Sequence, residues 1–78
     1  MPDLARVGGF SLVWGESLRW DDRRHRVYFV DCATQMLHWL DDVDAPLRSL
    51  KLDSMPAGVV LTDEGPLVVC LDDGLYVE

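Results

Sequence analysis

The chain has 78 residues, 49% of them hydrophobic, and a formal charge of −7 from fourteen acidic and seven basic residues. A chain of that length holds one small globular unit, and that hydrophobic fraction excludes a disordered polypeptide. The acidic balance excludes the clustered lysines and arginines that nucleic acids and anionic membranes demand, so neither is expected as a partner.

The opening stretch, MPDLARVGGF, has no positive segment feeding an apolar one, so no secretion signal is expected. No apolar run approaches the roughly 18 residues of a membrane helix. From there on, short apolar runs alternate with Asp, Gly and Pro punctuation, and helical periodicity is almost absent. The runs predict eight strands, over 10–14, 17–20, 26–31, 36–40, 47–52, 57–62, 66–71 and 75–78. DDRRH, DDVDAP, TDEG and DDG supply the turns, and LDDGLY is a compact hairpin signal. The pairs Asp21–Asp22, Asp41–Asp42 and Asp72–Asp73 read as solvated turns. Cys32 and Cys70 match no metal-ligand spacing and sit in apolar runs, where a free thiol behaves as a small hydrophobe; a reducing, cytoplasmic location is expected.

An offset of 41 residues places Leu18 on Val59, Asp22 on Asp63, Val27 on Val68 and Asp31 on Asp72. The repeated unit is strand, acidic turn, apolar strand ending in Asp, tight turn, strand. A period of about 40 residues with several strands per unit favours propeller blades over a sandwich. The fold expected is therefore all-β, a propeller fragment of about two blades built as antiparallel four-stranded meanders. Residues 1–15 form a leading segment, 16–52 the first blade and 53–78 part of a second.

Glu16 stands out within LVWGESLRW, flanked by apolar residues and two tryptophans. A carboxylate in that setting needs compensation unless it faces water. Its alternatives are a metal site, a solvent-facing strand end, or a pair with Arg19. Trp14, Trp20 and Trp39 are expected to pack between blades. His25 is expected to be exposed in its charged turn, and His38 to lie on one face of an outer strand. The basic cluster at 23–26 is too small for a nucleic-acid footprint, and two dispersed histidines build no nucleophilic triad.

The stretch WGESLRWDDRRHRVYFVDCATQMLHWLD resembles the opening blade of the senescence-marker-protein, gluconolactonase and luciferin-regenerating-enzyme family, the regucalcin-type proteins. The matching elements are Gly15, Glu16, Ser17 and Trp20, then Val27 to Asp31, then His38 and Trp39. The stretch from Met55 to Glu78 resembles the next blade through Gly58, Asp63, Gly65, Asp72 and Tyr76. The pattern departs at Leu18, usually proline in the family, and at Arg19, usually a small aliphatic residue.

The resemblance implies a six-bladed propeller with calcium or zinc in its central channel, and Glu16 as one metal ligand. It places the other protein ligands, an asparagine and an aspartate, on later blades beyond residue 78. In the reaction it implies, the metal polarises the carbonyl of a sugar lactone and that later aspartate helps activate water. No catalytic residue is expected within this chain, nor tight metal binding by it alone, so it is expected to be inactive in isolation. Its partners would be the remainder of the propeller or copies of itself. The alternative reading is a non-catalytic segment for self-association or binding, with residues 10–14 of one copy filling a blade edge of the next and closing a ring.

Overall fold

The computed structural model describes residues 3–63 and 67–77. Its strands are β1 (Gly15–Asp21), β2 (Arg26–Asp31), β3 (Met36–Leu40), β4 (Arg48–Lys51), β5 (Pro56–Val60), β6 (Val68–Leu71) and β7 (Gly74–Val77). Neighbours pair antiparallel in chain order, as a four-stranded sheet β1-β2-β3-β4 and a three-stranded sheet β5-β6-β7. The chain is thus all-β, as its patterning implies. Part of the TDEG turn, the start of the run at 66–71 and the last residue of the run at 75–78 lie outside the described residues.

The first two hairpins are built by one device used twice. Asp21 and Asp31 each end a strand, and each turns a carboxylate back onto its own turn. Asp21 Oδ1 accepts from the backbone N–H of Arg23 and of Arg24, both at 3.1 Å. Asp31 Oδ1 accepts from Ala33 at 3.1 Å and Thr34 at 3.2 Å. The residue four after each aspartate is left-handed, His25 at φ 54° and Gln35 at φ 59°, which sends the chain back into the next strand. Both aspartates are buried and structural, so Asp21 is not the solvated turn residue that its pairing with Asp22 suggests. Asp22, Asp41, Asp42, Asp72 and Asp73 are exposed.

The expected strand at 10–14 does not form. Asp31 reaches past its own turn, and its Oδ2 accepts from Val13 N–H at 2.8 Å and its Oδ1 from Trp14 N–H at 3.1 Å. Trp14 C=O in turn accepts from Cys32 N–H at 2.9 Å. With its donors captured by a carboxylate, this segment has no ladder to join. It docks on the chain's own sheet, with Phe10 stacked on Phe29 at 5.9 Å between centroids.

The core lies between the two sheets. Tyr28, Val30, Cys32 and Leu37 of the first meet Val59, Leu67, Val69 and Leu71 of the second, flanked by Trp39, Leu52 and Leu61. Trp39 therefore packs between the sheets as expected, against Tyr28 at 6.2 Å. Trp14 and Trp20 do not, being 53% and 56% exposed. Trp20 pairs with Val27, on the face of the first sheet turned away from the second, and Trp14 precedes both sheets.

The internal repeat is structural, with a slip. Gly15 pairs with Asp31 as Pro56 pairs with Leu71, so the first strands of the two sheets are offset by 41 residues but the second strands by 40. Asp31 therefore corresponds to Leu71 and not to Asp72, and the second sheet has no aspartate at the latch position.

One side chain crosses between the first strands of the two sheets. Ser17 sits in the β1 bulge at φ 56°, and its Oγ accepts from Val59 N–H at 3.1 Å. Ser17→Ala leaves that amide unpaired and is expected to cost about 1–2 kcal/mol. Ser17→Gly loses the same bond but removes the left-handed strain, so it is expected to cost less than alanine. Urea denaturation of the two variants against wild type checks that order.

Candidate functional site

Glu16 is the second residue of β1, just before the bulge, and it is exposed. Its position is set from both sides. A side chain on Gly15 would meet Leu12, whose Cδ1 would lie 2.6 Å from the new Cβ, so glycine lets the leading segment fold tightly against the strand start. Beyond Glu16, the left-handed turn at Ser17 swings the backbone towards the second sheet.

The carboxylate has one neighbour that the sequence did not suggest. Cys32 Sγ donates weakly to Glu16 Oε2 at 3.7 Å across sixteen residues of sequence. Burial, with Glu16 and Asp31 beside it, pushes the Cys32 thiol above its ordinary value. Cys32 and Cys70 are both free thiols. Arg19, a candidate partner for Glu16, instead donates from Nη1 to its neighbour's carbonyl, Leu18 O, at 3.0 Å. Among the described residues no ion pair reaches Glu16.

The surroundings are otherwise firm. Burial alone would raise the Asp31 carboxyl, but the backbone N–H groups of Val13, Thr34, Trp14 and Ala33 outweigh it and hold the group below the ordinary carboxylate value. Asp21 is likewise held low, the Arg24 and Arg23 contacts overcoming burial. Its carboxylate is 2.8 Å from Arg24 Nη1. His25 is exposed as expected. His38, on the third strand, is buried with Nδ1 2.6 Å from Ser49 Oγ, and burial lowers its pKa although Asp31 opposes this. Neither histidine is placed beside Glu16.

Glu16 also borders an open apolar groove of about 510 Å³ on the far face of the first sheet, lined by residues that include Phe10, Leu18, Val27, Phe29 and Leu40. As a metal ligand set the site is partial. Its exposed carboxylate is a hard oxygen donor with no cationic partner among the described residues, which suits one position of a calcium or zinc shell. No group of three His, Cys, Asp or Glu side chains that could hold a metal exists among the described residues.

Two successive antiparallel meanders, packed face to face with repeated strand placement, define a pair of adjacent blades of a β-propeller. Residues 14–78 match the SMP-30/Gluconolactonase/LRE-like region, and the chain belongs to that family. Among its relatives is YvrE of Bacillus subtilis (strain 168), which carries the name of a sugar lactone lactonase. The two are 31% identical over 65 residues, spanning 83% of this chain and 22% of that protein. The fold also matches the crystal structure of regucalcin from Agrobacterium tumefaciens str. C58, described as a calcium-binding protein. That match has a TM-score of 0.77 at 18% identity and spans 86% of this chain and 23% of the other. The chain thus covers less than a quarter of each of these proteins.

Proposed function

We propose that these residues form the opening blades of a divalent-metal-dependent sugar lactone hydrolase, with Glu16 as a metal ligand. The observation that carries the reading is the Glu16 carboxylate, exposed at the head of β1 inside the family motif and free of any cationic partner among the described residues. Family membership and the similarity to YvrE support the reaction class. When bound, the metal supplies Lewis-acid polarisation of the lactone carbonyl. Glu16 would hold it from one side, and the bulge that follows it at Ser17–Leu18 and the Asp31 latch would keep that carboxylate in position. The other ligands and the group that activates water would come from later blades, so the 78 residues alone are expected to be inactive and to bind the metal weakly.

A chimera tests this: residues 14–78 replace the matching segment of YvrE, and cation binding and lactone hydrolysis are measured. Glu16→Gln in that chimera is expected to weaken divalent-cation affinity by more than about 100-fold, a direct ligand mattering more than the outer-shell groups that cost 10–100-fold. Unchanged affinity would end the assignment of Glu16.

The 510 Å³ apolar groove favours a second reading, in which the segment serves assembly. Its occupant would then be another blade of the propeller or a second copy of the chain, and sedimentation equilibrium separates a self-associating chain from a monomer.

A further inference from the structure

We propose that copies of this chain stack head to tail, the outward face of the second sheet of one copy seating on the grooved far face of the first sheet of the next. The proposal rests on the assembly reading, deepens it by naming the partner and the two faces, and does not depend on Glu16 as a metal ligand. Its basis is the repeat itself. Gly15 pairs with Asp31 as Pro56 pairs with Leu71, so β2 and β6 are related by an offset of 40 residues. That offset carries Tyr28 and Val30 onto Val68 and Cys70, and Val27 and Phe29 onto Leu67 and Val69. In the core, Tyr28 and Val30 of the first sheet meet Leu67 and Val69 of the second. The counterparts of one side of that contact, Val68 and Cys70, lie on the outward face of the second sheet. The counterparts of the other side, Val27 and Phe29, lie on the far face of the first. Each chain therefore carries both halves of a second version of its own core contact, on opposite sides of the molecule, where they cannot meet.

Both faces are apolar and open. Strand alternation puts Val60, Val68, Cys70 and Leu75 on the outward face of the second sheet, where Val60 pairs with Val68 and Cys70 with Leu75. Leu75 is 71% exposed. The far face of the first sheet offers Leu18, Val27, Leu40 and Val43 along the groove, with Phe10 of the leading segment lining it too. Leu18 is 67% exposed. Sheets stacked face to face interdigitate such side chains, as the two sheets of one chain already do. Because the two faces differ, the contact is heterologous, and copies add in one direction into a closed ring or an open stack. Every copy carries a charge of −7, so copies repel one another and added salt is expected to tighten the stack.

Sedimentation equilibrium on the 78-residue chain, from micromolar to millimolar concentration, tests the pairing, with folding of each variant checked by its amide NMR spectrum. Wild type is expected to gain weight-average mass with concentration. Leu18→Lys blocks the first face and Leu75→Lys the second. Both positions are exposed, so each variant is expected to fold and to stay monomeric. Mixed in equal amounts, the two variants keep one intact face each and are expected to form a dimer and nothing larger. They should bind each other at least about 10-fold more tightly than either binds itself. Val43→Lys and Val60→Lys give the same pair of tests should either leucine variant not fold. A wild type that stays monomeric overturns the proposal and the assembly reading together. Association lost in Leu18→Lys but kept in Leu75→Lys means that two first sheets pair, which overturns the head-to-tail contact and leaves the assembly reading standing. A mixture that stays monomeric overturns the contact as well. So does association that weakens with added salt, because ion pairs and not apolar faces would then hold the copies.

Discussion

Asp31→Ala is expected to destabilise the chain by about 3 kcal/mol or more, enough to unfold much of the population of a domain this small. One carboxylate accepts four backbone N–H groups, from Val13, Trp14, Ala33 and Thr34. These are charge-assisted bonds, each stronger than a neutral one. Alanine frees the leading segment from the sheet and opens the β2–β3 turn in the same stroke. Asp31→Asn is expected to recover only part of the loss, because an amide that keeps its oxygen towards Trp14, Ala33 and Thr34 puts its own N–H against the Val13 N–H. Urea titration followed by tryptophan fluorescence measures the three proteins side by side, and an alanine variant within about 1 kcal/mol of wild type would remove Asp31 from this role.

The same groups fix the direction of acid sensitivity. The folded-state pKa of Asp31 and of Asp21 lies below the ordinary 3.8, so the stability each contributes is present above that pH and lost as pH falls through the folded value. His38 acts earlier. Its folded pKa lies below the ordinary 6.5, so the unfolded chain takes up that proton first, and stability declines as pH drops below about 6.5. All three groups therefore destabilise on acidification, the histidine first and the carboxylates later. Thermal unfolding between neutral pH and about pH 3 is expected to show a shallow fall followed by a steep one. His38→Phe should flatten the first and Asp31→Asn the second.

The strands were legible because each apolar run ends in turn residues whose chemistry is local. The role of Asp31 was not, since a strand-end aspartate looks the same whether it faces water or four N–H groups. What decides is the left-handed residue four positions on, which aims the turn amides at the carboxylate. Residues 10–14 misled for a related reason, being apolar enough for a strand while the Asp31 carboxylate takes the N–H groups of Val13 and Trp14. Trp20 likewise looked like core, but it lies on a sheet face that no second sheet covers. Glu16 stood out because a carboxylate between apolar neighbours is chemically odd in any register. Cys32 gave no such signal. Its proximity to Glu16 arises from the Glu16–Val30 pairing, and no spacing rule connects residues sixteen apart on neighbouring strands.

Leu67→Ala is expected to loosen both sheets although the residue precedes β6 of the second. Leu67 is fully buried, and it shares one cluster with Tyr28, Val30 and Leu37 of the first sheet. Replacing it with alanine removes apolar contacts and leaves a void, at a cost of roughly 2–5 kcal/mol. At a typical slope of about 4–8 °C per kcal/mol for this size, the midpoint should fall by about 15 °C. The distribution of the loss is the more telling measurement. The first sheet meets the second only on the face that packs on Leu67, while its far face carries the leading segment and the open groove. Neither sheet has a second core to fall back on, so both should melt in one transition. Amide hydrogen exchange in the variant should therefore accelerate in β2 and β3 as much as in β6. Exchange that rises only in the second sheet would mean that the first blade stands alone, and the inter-sheet cluster would then be an interface between two independent units and not a shared core.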